Sequence, residues 1–170
     1  MGGYITLAFA HLYPDMLEKF GLFHSSAFAD NEEKVIAREN AIGFIKLNGA
    51  AAFLKTMIPS LFSDVYKLNS YPVIEKLVES SVNFSPEALI QYYQAMIKRP
   101  DRTDVFQSFT RPILFIIGEK DRAIPLDQSL KQCYQPFISD IHLLPEAAHM
   151  GMMEDAVNCN NFIISFLSHC

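Results

Sequence analysis

Basic clusters are missing from this sequence: Lys98-Arg99 and Arg111 stand apart, and the formal net charge is -5. That balance lacks the positive footprint on which a nucleic acid or an anionic membrane would settle, so neither is expected as a partner. Long hydrophobic runs are missing too. No apolar stretch approaches the ~20 residues of a membrane helix, and Ile113 to Ile117 is only strand-sized. No basic segment precedes a cleavable apolar one, so no signal peptide is expected. Cysteine is scarce. Cys133, Cys159 and Cys170 form no C-x-x-C pair, and their odd number leaves a disulfide framework incomplete. Reduced, partly buried thiols in a cytoplasmic protein are expected instead. There is no H-E-x-x-H, no cysteine–histidine cluster and no glycine-rich phosphate loop, so neither a metal nor a cofactor is expected. Internal repeats and low-complexity tracts are absent as well.

What is present suits a globular chain. Half of the 170 residues are hydrophobic and 19% are charged, enough for one domain that buries roughly 70% of its unfolded surface. Met1-Gly2-x-x-x-Thr6 fits the N-myristoylation template. The template is short, and the glycine pair is read instead as room for a helix to pack closely.

The first segment, Gly3 to His11, reads as an apolar helix expected to be buried, with Pro14 helping to stop it. Phe20 to His24 reads as a short buried strand closed by Ser25-Ser26. From Asp30 to about Arg102 the pattern is helical, without a credible strand. Asp30 or Asn31 can cap a helix whose first turn holds Glu32 and Glu33. Gly49 is a plausible break and Pro59 a limit; Pro72 opens another helical run, and Ser85-Pro86-Glu87 is a capped start. The strand pattern returns at Pro112 to Gly118, a continuous apolar run suited to a parallel strand buried on both faces. A helix over Leu126–Tyr134, a strand over Ile138–Leu144 and a helix over Asp155–Leu167 complete the chain. The expected fold class is α/β: a core over 1–29 and 104–170, with a helical cap or lid inserted over 30–103.

Asp121 lies just beyond the strand ending at Gly118, and His149 lies just beyond the strand ending at Leu144. Catalytic groups in open α/β sheets gather at such carboxyl ends. Alone, Asp121 reads as a turn residue binding its own loop. A lone histidine reads as a partly buried loop residue, as His11, His24, His142 and His169 are read. Together the two gain weight, because one helix and one strand separate them and bring neighbouring strand ends together. A carboxylate there can orient an imidazole and stabilise its protonated form.

Gly2-Gly3-Tyr4 heading a helix, the run from Pro112 to Asp121, and His149-Met150-Gly151-Met152-Met153-Glu154 together resemble successive landmarks of the α/β-hydrolase fold. The resemblance spans the whole chain but only the later part of the family's usual length, with its last three parallel strands. It implies an esterase-like serine hydrolase in which Asp121 is the triad acid and His149 the acid–base. Met1 would supply an oxyanion-hole N–H, being the residue after the nucleophile. The family's Gly-x-Ser is absent, as are the early strands and the second oxyanion donor, and Ala148 stands where glycine is common. A lost oxyanion donor alone costs about 100- to 1,000-fold, so this chain is expected to be inactive by itself. An aspartate nucleophile, as in dehalogenases, is a related reading that the small Gly2-Gly3 pair makes less apt.

The substrate expected is a small apolar ester-like molecule. Phe53, Met57, Phe62, Tyr92, Met96 and Met150 are candidate lining residues, though most can equally pack helices together. An N-terminal segment or a partner strand is expected along the open sheet edge at Gly21-Leu22-Phe23, a homo-oligomer being one way to cover it. The competing class is a non-catalytic binding or assembly module.

Overall fold

The computed structural model describes residues 1–168; His169 and Cys170, taken above as a loop histidine and a thiol, lie outside the described residues. The chain divides into two compact units, residues 2–28, 61–63 and 101–170 forming one, and Met1, 29–60 and 64–100 the other.

The first unit is built on three parallel strands, β1 (Phe20–Phe23), β2 (Ile113–Gly118) and β3 (Ser139–Leu144), in the order β1-β2-β3. Phe20 pairs with Ile113, and Ile113 with Ser139, in continuous register. Side chains alternate across a strand, and β2 uses both of its faces. Ile113, Phe115 and Ile117 pack with Leu7, Phe106 and Cys133 on one side. Leu114 and Ile116 pack with Leu144, Cys159 and Phe166 on the other. Every β2 residue is buried as a result. An uninterrupted apolar run is the sequence form of that two-sided burial.

The helices of this unit are α1 (Gly2–Leu12), α5 (Asp104–Ser108), α6 (Leu126–Cys133), α7 (Gly151–Glu154) and α8 (Ala156–Ser168). Helix α1 departs from the expected burial. Leu7 and Ala10 are buried, whereas Ile5, Phe9 and Leu12 are exposed, because the sheet meets only one face of the helix. Gln132 fixes the loop after β1: its Oε1 accepts from Ala27 N–H at 2.9 Å and its Nε2 donates to Ser25 O at 2.6 Å. Cys133 and Cys159 are buried free thiols, and burial raises both pKa values, that of Cys159 to about 11.

The second unit contains α2 (Glu32–Ser60), α3 (Asp64–Ser80) and α4 (Pro86–Lys98). Asn31 rather than Asp30 caps α2, its Oδ1 accepting from Lys34 N–H at 2.9 Å. Asp30 instead receives two guanidiniums, Arg38 Nε and, at 2.9 Å, Arg99 Nη2. Burial works to raise its pKa, but the hydrogen bonds and charges of both arginines prevail and hold it below the usual carboxylate range. Ser85 caps α4 by accepting from Ala88 N–H at 3.1 Å, with Pro86 in the first turn. Within the range of α3 the backbone leaves helical geometry at Ser70 (φ -137°, ψ 25°), so Pro72 lies in the first turn of the helical run that follows the break, as expected.

Helix α2 also departs from the sequence reading, since by length and composition it is apolar enough to cross a membrane. Charged residues interrupt the run without lowering its mean hydropathy far enough to exclude a span. Gly49, at φ 84° and ψ 165°, breaks the helix there. Each half is shorter than the ~20 residues a span requires. Glycine alone reaches that backbone conformation cheaply.

Candidate active site

Two adjacent strand ends build the site. Beyond β2, Glu119 N–H donates to Leu144 O at 3.1 Å and Lys120 N–H to Ala147 O at 3.0 Å, which ties the loop after β2 to the loop after β3. A side chain at Gly118 would overlap the carbonyl oxygens of Ala147 and Ala148, so the close approach depends on glycine there.

Asp121 is buried and uses its two oxygens differently. Oδ1 accepts from the N–H groups of Ala123 and Ile124 at 2.8 and 3.0 Å, an Asx turn that shapes the loop. Oδ2 lies 2.8 Å from His149 Nδ1. The turn reading and the paired reading of this residue therefore both hold, on separate atoms. The His149 side chain keeps 29% of its surface exposed against 2% for Asp121. A buried carboxylate thus faces one imidazole nitrogen, and Nε2 lies on the opposite side of the ring. Such a pair can take a proton at Nε2 while the carboxylate stabilises the imidazolium.

A third side chain belongs to this cluster, and the sequence reading treated it as an ordinary loop histidine. His24 follows β1 directly, is buried, and has φ 47°, unusual for a residue other than glycine. Its Nδ1 accepts from Gly118 N–H at 3.1 Å and lies 3.8 Å from Asp121 Oδ2. Its ring centroid is 6.0 Å from that of His149. An Nδ1 that accepts an N–H bond carries no proton, so the neutral ring is protonated on Nε2. Burial lowers the His24 pKa to about 4, His149 adding to the fall and Asp121 opposing it. The signal for His24 was its place at the carboxyl end of an apolar strand, the same rule that selected Asp121 and His149. Two more histidines taken as loop residues lie in regular elements: His11 lies in α1 and pairs with Asp104, while His142 lies in β3 and stacks on Phe162 at 3.9 Å.

Among the other candidates, Met1 immediately precedes the first turn of α1, the positive end of that helix dipole. Phe62 is buried and Met150 half-buried, both in the sheet-containing unit. Phe53, Met57, Tyr92 and Met96 belong to the helical unit. There Phe53 meets Tyr93 edge-on at 5.5 Å, Tyr92 tilts against Phe84 at 6.1 Å, and the Met96 sulfur accepts from Arg38 at 3.2 Å. Among the described residues, no group of three or more His, Cys, Asp or Glu side chains could hold a metal ion.

No protein-family model matches the chain. It is 20% identical, over 99% of its length, to a 2-hydroxy-6-oxononadienedioate/2-hydroxy-6-oxononatrienedioate hydrolase of a Pseudomonas species. It is 28% identical, over 98% of its length, to the dihydrolipoyllysine-residue acetyltransferase component of an acetoin-cleaving system of Pseudomonas putida. The chain spans 60% of the first relative and 43% of the second. Among solved structures, a thermophilic esterase from Thermogutta terrifontis superposes with a TM-score of 0.89 at 27% identity, covering 98% of this chain and 61% of the esterase. Three parallel strands with flanking helices, the order of the elements and this superposition agree: the chain is a C-terminal portion of the α/β-hydrolase fold.

Proposed function

We propose that this chain contributes the acid and base of a serine-hydrolase-type enzyme acting on carboxylic esters or related acyl bonds. The observation that carries the reading is the 2.8 Å contact between His149 Nδ1 and Asp121 Oδ2 at neighbouring strand ends. The likeness to an esterase supports it. In this reading a serine, on a part of the fold outside these 170 residues, attacks the acyl carbon while His149 Nε2 takes its proton. Collapse of the tetrahedral intermediate returns that proton to the departing alkoxide and leaves an acyl-enzyme. Water then attacks in the same way, with His149 as base, and releases the acid. Met1 N–H would hold one face of the oxyanion, where the end of α1 favours negative charge.

The substrate proposed is a small molecule with an apolar acyl or alkyl group, with Phe62 and Met150 of the sheet-containing unit as its lining candidates. The segment that carries the serine would lie along β1, an edge strand among the described residues, and the enzyme would act in the cytoplasm. The test is hydrolysis of short-chain nitrophenyl esters by the chain alone and by the chain joined to a Gly-x-Ser strand segment. Activity only in the joined form, and its loss in His149→Ala, is the expected result. Hydrolysis that survives His149→Ala would refute the assigned base. The open edge of β1 favours a second reading, a non-catalytic assembly module. Tight association of the chain with a partner strand, with no hydrolysis in any joined form, would favour it.

A further inference from the structure

Glu154 ends the short helix α7, yet its carboxylate turns back onto the loop that carries His149. Oε1 accepts from the N–H of Ala148 at 3.0 Å and from that of Met150 at 3.2 Å. Oε2 accepts from Ser63 N–H at 2.9 Å. The N–H of His149 itself donates to Leu61 O at 2.9 Å. Three successive N–H groups, those of residues 148, 149 and 150, therefore have fixed acceptors. The two on either side of His149 converge on one carboxylate oxygen. Hydrogen bonds to an ionised acceptor are roughly twice as strong as neutral ones. Ala147 and Ala148 have no side-chain polar atom with which to hold the loop, so Glu154 supplies the anchor from outside it. The same carboxylate joins the loop to residues 61–63, the link between α2 and α3.

We propose that Glu154 is a positioning residue for the Asp121–His149 pair, clamping the backbone on both sides of His149 so that Nδ1 stays within reach of Asp121. The proposal rests on the reading of His149 as the base, but its test needs no nucleophile. The full chain is compared with Glu154→Ala and Glu154→Gln by NMR. The readouts are the far-downfield proton shared by His149 Nδ1 and Asp121, and amide exchange at Ser63, Ala148 and Met150.

In Glu154→Ala the downfield proton should broaden or vanish, and exchange at Ala148 and Met150 should rise about tenfold or more. Glu154→Gln keeps one carbonyl acceptor. It should therefore preserve the His149 proton while exchange at Ser63 rises about tenfold. A role in stability alone predicts a lower melting temperature with the His149 signals unchanged, and that outcome in Glu154→Ala overturns the proposal. Should Glu154→Ala fail to fold, the glutamine variant decides: unchanged exchange at all three amides overturns the clamp. If the NMR effects appear but no joined form hydrolyses esters, the functional reading fails and the clamp stands.

Discussion

At the scale of single residues, the two oxygens of Asp121 can be separated by substitution. Asparagine can still accept the Ala123 and Ile124 N–H bonds through Oδ1, but it presents an amide to His149 instead of a carboxylate. Asp121→Asn should leave stability to urea within about 1 kcal/mol while lowering kcat of the ester-hydrolysing form about 10,000-fold. Asp121→Ala also strands two N–H groups and should cost about 1–3 kcal/mol for the turn. His24 predicts a pH dependence. Its pKa falls from 6.5 to about 4 on folding, mainly through burial, so the unfolded chain binds more protons between those values. Stability should therefore fall as the pH drops from 6.5 to 4, by on the order of 3 kcal/mol in total, and level off below. Asparagine tolerates a positive φ and can accept the Gly118 N–H. His24→Asn should thus flatten this acid limb in urea titrations at pH 4.5 and 7, and an unchanged slope would discard the assignment.

Elements add a second set of expectations. Strand β2 was legible because burial on both faces removes every polar residue from it, and the apolar run needed no alternation to be recognised. Phe115→Ala should cost about 3–5 kcal/mol, read as a lower urea midpoint, since both the contact area and the cavity term are lost from a packed face. Gly49 reverses the usual rule for helices. Replacing a helical glycine by alanine commonly stabilises by about 1 kcal/mol. At φ 84° and ψ 165° the added Cβ is strained instead, so Gly49→Ala should destabilise by about 1–3 kcal/mol. A raised melting temperature in that variant would mean that α2 runs straight through Gly49 in solution. The break itself was legible, because glycine signals it locally. The capping group of α2 was not: either Asp30 or Asn31 fits the local pattern, and only Arg38 and Arg99, brought from elsewhere in the helical unit, claim Asp30.

For the molecule as a whole, β1 is the element with a consequence beyond its own packing. It is an edge strand of the sheet, and His24 N–H points back to Ile116 O on β2. Alternation along the strand then directs the N–H groups of Gly21 and Phe23 outward. An apolar cavity of about 200 Å³ beside Phe20, Leu22 and Phe166 adjoins the same edge. Unpaired edges recruit strands. The chain alone should therefore show concentration-dependent association in light-scattering chromatography, and Gly21→Pro, which removes an outward donor and spares the β2 ladder, should reduce it. A strictly monomeric chain at high concentration would contradict this expectation.

The sequence by itself determined the fold class, the order of the three strands and the longer helices, and the nearness of Asp121 to His149. Each follows from local causes: apolar runs mark buried strands, glycine and proline mark their ends, and one crossover helix places successive strand ends side by side. The tertiary structure alone decided what surrounds that pair. His24 joins it because β1 lies next to β2. Glu154 reaches Ser63 across a sequence separation of 91 residues, and α1 keeps Ile5 and Leu12 exposed because the sheet meets one face only. Hydrophobic periodicity records whether a side chain is buried, and turn chemistry records where the chain bends. Neither records which distant polar atom meets a given hydrogen-bonding group, and that is settled only when the elements pack.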